Sequence, residues 1–269
     1  MERGICRLCL LDKDLQDSHF LGKSIYRTLS TADSPPIMLT NDSAEQSTEQ
    51  LRDYVFCYDC EQKFNSGGEM WMHPRISTLT DFKLLDLFRG QTPLFAENGY
   101  KLYDGTKVPG LDCASLLHYG AGIFFKAAAH TWDFKGTPSS IDIGKYKEPL
   151  RKFLHDGVAL PADVLISVGI SGIKPQFIGF LPPVQMQDPE GVKYTFYISG
   201  VLYTLRLGDN LPDNHRKTAF SSPDLKLIFL IDDLSDVGRD MMKKLVGSPK
   251  TSRKLQEFMK KHFPPRRFD

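Results

Sequence analysis

Cys6-Arg7-Leu8-Cys9 opens, and Cys57-Tyr58-Asp59-Cys60 closes, the stretch of sequence on which the fold of this chain turns. Zn²⁺ takes four thiolates tetrahedrally, and each short Cys-x-x-Cys pair supplies two of them from one tight turn. Four of the five cysteines lie in these two pairs. The fifth, Cys113, lies far downstream and reads as a packed free thiol. Two disulfides are the alternative, but they need an oxidising compartment. The opening residues Met-Glu-Arg-Gly-Ile-Cys lack the apolar run of a signal peptide. A structural zinc site on Cys6, Cys9, Cys57 and Cys60 in a reducing cytoplasm is therefore the expectation.

Outward from the cysteines, residues 5–10 read as a zinc knuckle and 11–14 as a turn. A short helix is expected over 25–29. From 30 to 50 the composition shifts to Ser, Thr, Asp, Asn, Glu, Gln and Pro, which reads as a loop or polar insertion. Residues 51–56 make an apolar approach to Cys57. A helix starts after Cys60, and Ser66-Gly67-Gly68 interrupts or bends it. Knuckle, hairpin-like middle and a helix whose first turn carries the second Cys pair form the treble-clef layout.

With that layout, Cys6-x-x-Cys9, Ser18-His19-Phe20 and Cys57-x-x-Cys60-Glu61 resemble the four-Cys branch of the HNH, or His-Me finger, nucleases. The resemblance covers roughly the first 70 residues and is closest to bacterial HNH endonuclease-like proteins. It implies that His19 is the general base that activates water against a phosphodiester. An imidazole titrating near neutrality suits that task. It also implies a hard catalytic cation, Mg²⁺ or Mn²⁺, held by Glu61 with help from Asp17. The family's acidic residue before the His is Ser18 here, its Asn after the last zinc Cys is Glu61, and its Ile-Pro is Leu21-Gly22. Without the family, His19 reads as a hydrogen-bonded residue packing the zinc loop, and Glu61 as a first-turn helix carboxylate. Glu69 and His73 lie farther along the same segment; they could line the site, but read rather as surface or interface groups.

Charge bears on partners. Over residues 1–75 the acids outnumber the bases 12 to 8, so this part lacks the cationic surplus that binds phosphates. The one basic concentration is 250–267, with Lys250, Arg253, Lys254, Lys260, Lys261, Arg266 and Arg267. It reads as a solvated helix face or, more sharply, as a contact to a nucleic-acid backbone. A protein partner is the other possibility. No window of about 18 uncharged apolar residues occurs, so no membrane span or membrane partner is expected.

The remainder, 76–269, reads as an α+β domain. Residues 84–88 suggest a short helix. Asp112 caps a central helix over 113–132 whose Leu116, Leu117, Gly120, Ile123, Phe124, Ala127 and Ala128 form a broad apolar stripe. His118 and His130 on it read as structural. A second helix is expected over about 143–155. Short runs at 162–170, 176–181, 193–198, 201–207 and 225–230 are rich in Val, Ile, Phe and Tyr. Lying one after another within 162–230, they favour an antiparallel sheet, with Ser199-Gly200 as a tight hairpin turn. Helices over 232–246 and 248–262 are expected to close the chain. The sequence thus points to an HNH-like treble-clef zinc module over 1–75, with a polar insertion at 30–50, leading a helix-plus-antiparallel-sheet domain. Two functions follow from the resemblance. One is an HNH-type metal-dependent nuclease, which by family analogy serves bacterial defence. The other is a catalytically degenerate, zinc-stapled module that binds protein or nucleic acid without cleaving it.

Overall fold

The computed structural model describes residues 2–29, 37–39, 43–97, 99–134, 136–175, 178–223, 225–234, 237–238, 240–241, 250–251 and 257. At the N-terminus, β1 (Glu2–Ile5) and β2 (Asp12–His19) form an antiparallel hairpin whose connection holds the first Cys pair. β5 (Arg52–Cys57) pairs on the other side of β2, giving the order β1-β2-β5. Between them run α1 (Lys23–Leu29), β3 (Ile37–Leu39) and β4 (Ser43–Gln46). β3 and β4 pair antiparallel, so part of the polar insertion is a hairpin rather than a loop. Near the other end of the chain, β15 (Lys250–Thr251) adds to β4 in parallel.

The second Cys pair sits where β5 runs into α2 (Tyr58–Phe64). Ser66-Gly67-Gly68 does not end this helix. Asn65–Glu69 is one π-helical turn, α3 (Met70–Met72) continues the axis, and the short α4 (Lys83–Asp86) follows, overlapping the 84–88 helix expected from the sequence. Packing explains the turn. A Cβ on Gly68 would lie 2.7 Å from the Tyr119 backbone N and 2.8 Å from the Ser115 carbonyl O, so helix meets helix backbone to backbone there. Such π turns are rare and recur near functional residues. Gly68→Ala is expected to force the two helices apart and cost about 1–3 kcal/mol, read as a lower urea midpoint at unchanged slope.

The helix on which Gly68 rests is α5 (Cys113–Ala129), capped by the Asp112 carboxylate, which accepts from Ser115 N at 2.9 Å. It ends at Ala129, short of residue 132, because Trp132 already belongs to β8 (Trp132–Phe134), which pairs with β9 (Thr137–Ser139). The helix expected over 143–155 begins as a 3₁₀ turn, Gly144–Tyr146, and becomes α6 (Lys147–Asp156), closed by Gly157 at φ +71°.

One face of α5 lies on a seven-stranded sheet. Its strands are β6 (Phe95–Glu97), β7 (Tyr100–Asp104), β10 (Val164–Ser171), β11 (Phe180–Met186), β12 (Val192–Ile198), β13 (Val201–Leu207) and β14 (Leu227–Ile231). The order is β11-β12-β13-β10-β14-β7-β6. Antiparallel pairing holds throughout except between β10 and β14, which run parallel, so the sheet is mixed. Ser199 and Gly200 at φ +38° and +91° make the tight β12–β13 turn. β11 continues through Pro182-Pro183, where its register shifts, and it tolerates them because it is an edge strand.

Alternate residues Ile166, Val168, Ile170, Phe196, Ile198, Tyr203 and Leu205 line the buried face. They join one apolar core that runs from Cys6 through Phe64 and Leu116 to Leu230, crossing residue 75 without a break. On the opposite face Leu181 and Tyr197 meet Leu234 and Met241. Only Val237, Gly238, Asp240 and Met241 of the expected 232–246 helix are described as helical. In 248–262, Lys250–Thr251 is strand instead, and the rest of the basic 250–267 segment apart from Glu257 lies outside the described residues.

Candidate functional site

β2, β5 and α2 bring Cys6, Cys9, Cys57 and Cys60 together. Their four Sγ atoms lie within 4.8 Å of one another, and Cys9 Sγ and Cys57 Sγ are 3.9 Å apart. Zn–S bonds of about 2.3 Å at tetrahedral angles place sulfurs about 3.8 Å apart, so the donor set fits such an ion. A disulfide needs about 2.05 Å, and all four are free thiols. The Cys6 thiol is drawn down to about 4, first by the hydrogen bond with Cys60 and then by backbone donors that include Cys57 N. The same bond pushes Cys60 up, helped by burial, and burial raises Cys57. One thiolate is thus already favoured, and a cation would draw the remaining protons off. The described residues contain no other group of three or more His, Cys, Asp or Glu side chains placed to share a metal.

His19 closes β2. The residue is 8% exposed, and its ring lies 6.3 Å from that of Tyr26 and is hydrogen-bonded to the Gln50 side chain. Burial, with Lys23 and Arg52 nearby, lowers its pKa, so the imidazole is neutral at pH 7. Asp17 is engaged by Arg52, Nη1 to Oδ2 at 2.6 Å.

Glu61, in α2, bonds Ser18, whose side chain alternates with that of His19 along β2, and Ser18 Oγ also accepts from Phe56 N at 3.1 Å. The structure therefore brings Glu61 to Ser18. Burial raises the Glu61 carboxyl, and Lys126 pulls it partly back. Glu61 Oε1 is buried with no hydrogen-bond partner among the described residues.

Lys126 is the residue that sequence reasoning missed. It sits in α5 between Phe125 and Ala127, is 1% exposed, and donates to Glu69 Oε1 at 2.9 Å and to the His19 carbonyl at 3.2 Å. Its ammonium also lies 4.6 Å from the Phe64 ring centroid. Burial pushes the Glu69 carboxyl up, but Lys126, His73 and the hydrogen bond reverse this and leave it below its usual range. Glu69 and His73 are thus mostly buried and packed beside Lys126, the site-lining alternative rather than open surface. The one signal in the sequence was a single lysine inside the otherwise apolar run from Ile123 to Ala129.

His73 completes the cluster. Its Nδ1 is 2.6 Å from Ser24 Oγ, and its ring stands edge-on to Tyr119 at 5.5 Å. Burial lowers its pKa to about 4, with Glu69 opposing and Lys126 assisting. The sign of the pH effect follows. Between the ordinary value of 6.5 and about 4 the unfolded chain takes up a proton that the folded chain refuses. Stability is accordingly full above pH 6.5 and falls as pH drops toward 4, by up to about 3 kcal/mol from this group. A pH series of urea midpoints should show that loss, and His73→Gln should flatten it.

The seven strands and the site have no counterpart by comparison: no protein-family model, no curated protein and no solved structure matches this chain. Among the described residues, no helix is long and apolar enough to cross a membrane.

Proposed function

We propose that the N-terminal part is an HNH-like treble clef stapled by one structural Zn²⁺, and that it binds a macromolecule without cleaving it. One observation carries this reading: the Lys126 ammonium stands between Glu69 and the His19 carbonyl and acts on Glu61. A nuclease of this class needs a divalent cation beside such carboxylates to stabilise developing phosphate charge. A lysine fixed on a packed helix neutralises them instead, and repels a second cation. Glu61 bonds Ser18 and His19 bonds Gln50, so the two side chains are held by different partners. Four thiolates close the zinc shell and leave no open position for substrate. The partner is protein or nucleic acid, and the basic 250–267 segment is the part suited to phosphates.

A single feature favours the cleaving alternative, in which His19 is the base and Glu61 with Asp17 holds Mg²⁺ or Mn²⁺: the neutral His19 imidazole. One assay separates the two. Zinc-loaded protein is incubated with plasmid, single-stranded DNA and RNA in Mg²⁺ or Mn²⁺, beside His19→Ala. The binding reading expects equal background from both proteins. Cleavage that His19→Ala lowers by about 10²–10⁴, with zinc content intact, establishes the nuclease.

A further inference from the structure

We propose that two copies of this chain pair through the outer edge of β1, joining their three-stranded sheets into one of six strands. β1 is an edge strand, and nothing among the described residues pairs with its outer side. Its register shows which groups are free. Cys6 bonds inward, its N donating to Leu11 O at 3.0 Å and its O accepting from Leu10 N at 2.9 Å. Orientation alternates along a strand, so Gly4 and Glu2 also face β2, while Arg3 and Ile5 turn their N–H and C=O outward.

That pattern is self-complementary. With a two-fold axis at Gly4, Arg3 stands opposite Ile5 of the second copy, and Ile5 opposite its Arg3. Each pair exchanges two backbone hydrogen bonds, four in all. Gly4 then faces Gly4 at the close, non-bonded position, about 4.5 Å between Cα atoms, where side chains crowd most. No like charges oppose each other. The Arg3 guanidinium is drawn toward Asp12 of its own chain at 3.3 Å, leaving its stem to cover Ile5 of the second copy.

The surroundings fit a covered surface. Ile5, Leu10 and Leu11 at the hairpin's turn are 51%, 53% and 55% exposed, and nearby Tyr58 is 62% exposed. Edge strands that stay single are commonly guarded by lysine, proline or a bulge. β1 is short and carries one charge of each sign, Glu2 and Arg3, but it has neither lysine nor proline, and its ladder with β2 runs without a register shift. A second copy is the favoured occupant because the free groups, the glycine and the charges match under a two-fold operator, the usual symmetry of homodimers.

Sedimentation equilibrium of the zinc-loaded chain, from low micromolar to several hundred micromolar, tests this. The expected result is a concentration-dependent rise to twice the 30.5 kDa chain mass. Arg3→Pro removes an outward backbone donor and no backbone bond to β2, losing there only the exposed Arg3–Asp12 side-chain contact, so it should raise the dissociation constant at least about tenfold with zinc content unchanged. Ile5→Lys places a cation opposite Arg3 of the second copy and should weaken association similarly. If Arg3→Pro loses zinc, Ile5→Lys alone decides. A chain that stays monomeric throughout, or a dimer indifferent to the deciding substitutions, overturns the proposal.

Discussion

Cys60→Ala is expected to strip the metal and unfold far more than the four-Cys cluster. Structural zinc in small finger-like units supplies on the order of 10–16 kcal/mol of folding free energy, comparable to the whole stability of an ordinary domain. The short strands β1, β2 and β5 bury too little to replace it. Their apolar residues are not a separate core. Phe56 stacks edge-on to Phe64 at 5.0 Å and lies 6.3 Å from Phe125 of α5. Lys63 donates to the His155 carbonyl and Arg151 to the Leu8 carbonyl, tying the same region to α6. Loss of the metal should therefore remove hydrogen-exchange protection from residues 2–29 and 52–72 and loosen α5. Elemental analysis alongside exchange mass spectrometry checks this, and a metal-free chain with full protection contradicts it.

Lys126→Met is expected to be the next most damaging substitution, costing about 3–5 kcal/mol. Methionine matches the stem of lysine but leaves Glu69 buried without its counter-charge, and removing one partner of a buried pair is far costlier than removing both. The ion pair is 1% exposed on the lysine side and 13% on the glutamate side, so solvent does little to soften that loss. The His19 carbonyl and Glu61 lose their cation at the same time. Lys126→Met combined with Glu69→Gln should recover part of the stability, and a double-mutant cycle in urea measures the coupling. Equal stability of Lys126→Met and parent would contradict the buried-network account.

What could be read in the sequence had short-range causes. The Cys spacing dictates two tight turns, and the four thiols do meet. Asp112 and the apolar stripe after it announce α5 to within three residues. Ser199-Gly200 announces its hairpin because both residues must take positive φ. What could not be read depends on partners distant along the chain. The parallel ladder between β10 and β14 joins strands more than fifty residues apart, and each looks the same alone as in an antiparallel pair. Ser66-Gly67-Gly68 looks like a break, because propensity counts the cost of glycine and cannot see Tyr119 and Ser115 pressing on it. Lys126 looks like a surface lysine until Glu69 and the His19 carbonyl are placed around it. For the same reason Glu61, by its own position in the sequence, reads only as a first-turn helix carboxylate, and the position of α2 against Ser18 is what shows its bonding partner.

The central claim is that a lysine, not a divalent cation, neutralises the carboxylates beneath the four-Cys site. Mn²⁺ titration of the zinc-loaded chain, followed by electron paramagnetic resonance, tests it most directly. The account predicts no stoichiometric Mn²⁺ site beyond weak surface binding, and a signal that Glu61→Gln leaves unchanged. A tight site at one Mn²⁺ per chain that disappears in Glu61→Gln would contradict it.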